Sequence, residues 1–140
     1  MSGIVLVEDN PNDELLTRRA LARHGSGDEV VVLRDGAEAV DYLLDPQLTV
    51  PAVVLLDLKL PKVDGLAVLA RIRENRRTRF VPVVVLTSSD EESDIVGSYR
   101  NGANSFVRKP VDSDDFDSAI ERLGVYWTRL NRPVPERLSN

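Results

Sequence analysis

Short apolar runs alternate with amphipathic stretches along nearly the whole chain. The runs are Ile4–Val7, Val30–Leu33, Ala52–Leu56, Val81–Leu86 and a weaker one at Ser105–Val107. Val and Ile dominate most of them, and they are too continuous for half-exposed strands. They predict buried strands of a parallel sheet covered on both faces. The intervening segments carry helix signals. Asn10-Pro11 offers an N-cap followed by proline at the first helical position, and Gly25 closes that segment. A short second helix is expected near Ala37–Leu44, before Pro46. A third runs from Leu66 to about Asn75, with Val68, Leu69 and Ile72 as its core stripe. Ser89 and Glu92 have capping-box spacing, with Ile95, Tyr99 and Ala103 on one face and Gly102 near the end. Asp112 is the expected cap of the last helix, with Val111 and Phe116 placed as a hydrophobic staple.

The sum is (βα)5, an open doubly wound α/β sheet. No repeat or long linker divides it. Residues 1–132 read as one domain with an extended C-terminal helix, and residues 133–140 as a short tail whose two prolines stop that helix. Along the last helix Phe116, Ile120, Leu123, Trp127 and Leu130 follow three- and four-residue steps. Trp127 and Leu130 would extend past the edge of the sheet. Either the tail folds back over them or they form a dimer or partner surface.

Composition narrows the chemistry. The 140 residues include 18 Lys plus Arg, 23 Asp plus Glu, one His and no Cys, for a net charge of −5. Disulfides, thiolate zinc sites and a cysteine nucleophile are excluded. His24 alone cannot build a histidine metal site, and before Gly25 it reads as a polar group at a helix C-terminus. The acidic balance argues against direct nucleic-acid binding. No run approaches the ~20 residues of a membrane span, and no secretory signal opens the chain, so a cytoplasmic location is expected. The arginines from Arg71 to Arg79 read as a solvated face and loop. Only three lysines occur, Lys59, Lys62 and Lys109.

In open α/β sheets ligands bind outside the carboxyl ends of the strands. Those ends carry Glu8-Asp9 after the first run, Asp57 after the third, Thr87-Ser88 after the fourth and Lys109-Pro110 after the fifth. Each acid alone would pass for a helix cap. Together, converging carboxylates repel one another unless a cation joins them. Hard oxygen ligands suit Mg2+. Carboxylate, Mg2+, lysine and hydroxyl form a parts list for phosphoryl transfer, with one carboxylate as nucleophile.

Glu8-Asp9, Asp57 within Leu55–Pro61, Asp64-Gly65, Leu86-Thr87-Ser88 and Lys109-Pro110 strongly resemble the receiver domain of bacterial response regulators. The resemblance covers residues 3 to about 124. It implies a CheY-like, flavodoxin-like strand order 2-1-3-4-5, and phosphorylation of Asp57 by a sensor histidine kinase. It further implies Mg2+ held by Asp9, Asp57 and the Lys59 carbonyl, with Glu8 acting largely through water. Lys109 would contact the phosphoryl oxygens and precede a cis bond to Pro110. Thr87 and Phe106 would form the switch. Phe106 lacks the tyrosine hydroxyl often found there, which leaves a packing switch. A face built from the fourth helix, fifth strand and last helix, including Tyr99, Phe106, Trp127 and Leu130, would serve a homodimer or partner.

Glu8-Asp9-Asn10-Pro11, Gly102-Ala103-Asn104-Ser105 and Tyr126–Asn131 look closest to stand-alone receivers of phytochrome-type kinases. Such a protein assists its own phosphorylation and dephosphorylation but is not a conventional enzyme. An aspartyl-phosphate hydrolase would place an acid where Lys59 stands. A flavin or nucleotide binder would place a glycine-rich loop where Glu8-Asp9 stands. A degenerate receiver acting only as a binding module would not keep the complete set.

Overall fold

The computed structural model describes residues 3–23, 29–110 and 112–135. His24, Gly25 and Val111 lie outside them, and with them the expected first-helix stop and the staple. Among the described residues, strands β1 (Ile4–Val7), β2 (Val30–Leu33), β3 (Val53–Leu56), β4 (Val83–Thr87) and β5 (Ser105–Arg108) alternate with helices. These are α1 (Pro11–Ala22), α2 (Gly36–Leu43), α3 (Gly65–Glu74), α4 (Glu92–Arg100) and α5 (Asp114–Val125). The strands form one parallel sheet in the order β2-β1-β3-β4-β5, as expected.

Side chains alternate across β1 and β3, so one continuous apolar run feeds two cores. Val5, Val7, Val54 and Leu56 pack with Val68, Leu69 and Ile72 on the α2–α3 side. Ile4, Leu6, Val53 and Leu55 pack with Ala20, Leu21, Phe116 and Ile120 on the α1–α5 side. Burial of each such aliphatic side chain contributes about 1.5–3 kcal/mol. The central strands are buried throughout, whereas β2 and β5 are only partly covered because they form the sheet's edges. Continuity of apolar residues therefore overstated the burial of β2 and β5.

Carboxylate caps move several helix starts from their expected positions. Asp35 and Asp64 accept backbone N–H bonds at the starts of α2 and α3. Ser113, not Asp112, caps α5 by accepting from Phe116 N–H at 3.0 Å. Ser89 does not cap α4; its hydroxyl accepts from Glu91 N–H at 3.2 Å and donates to Asp94 at 2.5 Å, and Glu91 takes the cap position without a side-chain bond. Gly65 lets α3 begin directly beneath β3. A Cβ there would fall 2.4 Å from the Asp57 carbonyl oxygen.

The arginine run is not uniformly solvated. Arg73 donates twice to the Gly102 carbonyl, at 3.0 and 2.7 Å, and also to the Val81 carbonyl at 2.7 Å. Arg77 donates to the carbonyls of Asp45 and Leu48. Both fasten loops at the end of the sheet opposite the acidic residues.

The C-terminal stripe does not continue as one straight α-helix. Residues Tyr126–Leu130 form a π-helical segment, which shifts the phase of Leu130 relative to the stripe. Trp127, one α-helical turn after Leu123, keeps to the stripe and packs beside it against the α1–α5 core, while Tyr126 and Leu130 remain exposed. After the π-helical segment, Pro133 and Val134 line a small cavity with Val50, Phe80 and Pro82.

Candidate functional site

Parallel pairing in register brings the carboxyl ends of β1, β3, β4 and β5 to one edge. Backbone bonds hold the residues just beyond them: Glu8 N–H to Leu33, Asp57 N–H to Val7 and Lys109 N–H to Thr87. Glu8, Asp57, Thr87 and Lys109 are therefore fixed by the sheet rather than by mobile loops. All four are buried, and Asp9 is exposed at the mouth.

Lys109 joins three acids. Its ammonium donates to Glu8 Oε1 at 2.7 Å, Asp13 Oδ2 at 2.8 Å and Asp57 Oδ2 at 3.1 Å. The other Asp57 oxygen accepts from Lys59 N–H at 3.2 Å. No peptide bond among the described residues is cis, so the Lys109–Pro110 bond is trans, contrary to the resemblance. Its three carboxylate partners fix the direction of the ammonium.

The electrostatics follow from burial and charge count. Burial pushes the Glu8 carboxyl up to about 7; the bond from Lys109 opposes this and the neighbouring Asp57 charge adds to it. Burial alone would lower Lys109, but Asp13, Glu8 and Asp57 outweigh it and hold the amine above its ordinary range. One ammonium cannot offset the charges of Glu8, Asp13 and Asp57 with Asp9 beside them. Glu8, Asp9 and Asp57 each offer an oxygen, and these oxygens lie within 4.8 Å of one another. An all-oxygen donor set in an under-neutralised, partly open pocket fits Mg2+, which retains waters and accepts few protein ligands.

Thr87 is fully buried at the end of β4, and its hydroxyl accepts from Ser89 N–H at 3.3 Å. Phe106, on edge strand β5, is half-buried. A cleft of about 410 Å³ opens beside Asp9 and is lined by Lys59, Leu60, Pro61, Asp64, Leu66 and Asp94. Across it Lys59 Nζ stands 3.7 Å from Asp94 Oδ2, the oxygen that also accepts from Ser89. Tyr99 is exposed on α4, away from this edge.

The structure thus brings together Glu8, Asp9, Asp57, Lys59, Thr87 and Lys109. Sequence reasoning missed Asp13 and Asp94. Both acids fall in the first turn of a helix, where an acid reads as a partner for the helix dipole. That ordinary explanation conceals their contacts with Lys109 and Ser89.

Residues 4–121 match the response regulator receiver domain family. The probable methanogenesis regulatory protein FilR2 of Methanothrix harundinacea is 42% identical over 132 residues, covering 92% of this chain and 85% of that protein. Response regulator Rcp1 of Synechocystis sp. is 35% identical over 128 residues, covering 89% of this chain and 87% of Rcp1. The crystal structure of its Mn2+-bound form aligns with a TM-score of 0.86 and 32% identity, covering 96% of this chain and all of that one. The bacteriophytochrome response regulator AtBRR is 52% identical, with a TM-score of 0.72 over 94% of this chain and 99% of its own. A matched family spanning most of the chain, on the same fold, settles the assignment: this chain belongs to the response regulator receiver domain family.

Proposed function

We propose that this chain is a stand-alone phosphoryl-accepting switch, with Asp57 as the acceptor. The observation that carries the reading is the buried Lys109–Asp57 pair beside the Glu8–Asp9–Asp57 oxygen cluster. An Asp57 oxygen attacks the phosphorus of a phosphohistidine on a sensor kinase. The new P–O bond forms as the P–N bond breaks, and the imidazole leaves and takes up a proton from water. Asp9, Asp57 and the Lys59 carbonyl, with Glu8 nearby, would hold Mg2+, which would supply positive charge against the phosphoryl oxygens. Lys109 turns one N–H from the phosphorylated Asp57 carboxyl to a phosphoryl oxygen. Thr87 moves its hydroxyl toward the same group, and Phe106 repacks into the space it leaves.

The output face is formed by α4, β5 and α5, with Tyr99, Phe106, Trp127 and Leu130, and it serves a homodimer or partner protein. Exposed Val96, Tyr99, Tyr126 and Leu130 support this reading. Likeness to a bacteriophytochrome response regulator supports a kinase of the phytochrome type. Residues 1–132 act as one unit, with 133–140 as a tail. The chain assists its own phosphorylation and dephosphorylation and works in the cytoplasm without binding nucleic acid. No helix among the described residues is long and apolar enough to cross a membrane.

Incubation with acetyl phosphate tests the site. With Mg2+ the chain gains one phosphoryl group by intact mass, and with a chelator it gains none. No gain with Mg2+, or equal gain without it, contradicts the reading.

A further inference from the structure

We infer that Asp13 is a positioning residue for phosphoryl transfer, holding Lys109 in place while its other two acids are drawn into the reaction. This rests on Asp57 being the acceptor. A lysine ammonium has three N–H donors, and here each meets one carboxylate, of Glu8, Asp13 and Asp57. Two of these, Glu8 and Asp57, belong to the oxygen cluster suited to a divalent cation, and Asp13 does not. A cation competes with Lys109 for the first two. Phosphorylation then removes the negative charge of the Asp57 carboxylate itself. Asp13 is the partner that neither event takes away.

Its placement is built rather than incidental. Asn10 caps α1 by accepting from the N–H groups of Asn12 and Asp13, at 2.9 and 3.0 Å, so the Asp13 backbone is fixed at the helix start. The Asp13 side chain is 20% exposed and that of Lys109 only 7%, so the bond is largely shielded from water. With one N–H held by Asp13, the N–H directed at Asp57 is free to turn to the phosphoryl oxygen.

The test follows the Lys109 side-chain ammonium by 15N NMR, first metal-free and then with Mg2+ alone. Lys59 and Lys62 are about two-thirds exposed, so their ammonium protons exchange quickly and Lys109 stands apart. Three proteins are compared: wild type, Asp13→Asn, and Asn12→Asp/Asp13→Asn, which restores the charge without the contact. The Lys109 signal persists with Mg2+ in wild type and is lost in both variants. Phosphoryl uptake from acetyl phosphate slows about tenfold in both, the scale of one charge-assisted hydrogen bond. A Lys109 signal unmoved by Asp13→Asn overturns the inference. So does a double variant that behaves as wild type, since charge alone would then suffice. A wild type that takes up no phosphoryl group contradicts Asp57 as the acceptor instead, and the ammonium signal still decides the role of Asp13.

Discussion

Lys109 donates to Asp57 at 3.1 Å, the longest of its three carboxylate bonds, so the residue proposed to react is the one it grips least closely. Breaking a buried ion pair on one side leaves uncompensated charge. Lys109→Ala therefore destabilises the metal-free protein by about 3–5 kcal/mol. Mg2+ recovers more stability in this variant than in wild type, because the acids have lost their other cation. Urea unfolding with and without Mg2+ measures both quantities. Equal gains on adding Mg2+ contradict the shared-acid arrangement.

The raised Glu8 carboxyl sets a pH dependence. Its value moves from 4.5 to about 7 on folding, so between these the folded chain holds a proton that the unfolded chain has released. The contribution is complete below about 4.5 and is lost as pH rises to about 7. Metal-free wild type accordingly loses stability relative to Glu8→Gln across that window. Lys109 stays charged throughout it and adds no slope. A constant difference between the two proteins, followed by urea midpoints, contradicts the burial argument.

Across the cleft, Asp94 restrains both Lys59 and Ser89. Lys59→Ala opens a water path to the acyl phosphate and speeds its hydrolysis. Asp94→Ala frees Lys59 to cover the phosphoryl group and slows it. Each change is about two- to fivefold, the scale of an exposed ion pair. Ser89→Ala also releases one side of Asp94 and alters the rate. Loss of the phosphoryl mass with time reads all three, and rates equal to wild type contradict this role for the cleft.

Leu130 has 67% of its surface exposed and shares a surface groove with the exposed Tyr126. Leu130→Asp shifts the proposed dimer toward monomer. Sedimentation velocity over a concentration series measures the change. A wild type that stays monomeric at every concentration, with and without phosphoryl group, removes the dimer from the account.

The sheet was legible because β1, β3 and β4 each need an unbroken apolar run to serve two cores. The reacting edge was legible because parallel strands deliver their ends to one place, bringing Glu8, Asp57, Thr87 and Lys109 together. What stayed hidden depends on choices between equivalent local partners. The Ser89 oxygen could accept from the first turn of α4 or from Glu91 N–H before it, and only the packed loop decides. Arg73 reads as a surface charge until the Gly102 and Val81 carbonyls converge on it. Leu130 fits a regular helical stripe with Trp127, and the π-helical segment that carries it off that face has no periodic signature. Edge strands β2 and β5 resemble central ones because an apolar run does not record how many neighbours will cover it.

Asp57 as the phosphoacceptor is the claim on which the rest depends, and intact mass after treatment with acetyl phosphate and Mg2+ tests it most directly. Wild type gains one phosphoryl group and releases acetate, while Asp57→Asn, which keeps the size but loses the nucleophilic carboxylate, gains none. Equal labelling of the two proteins, or none on wild type, would contradict the account.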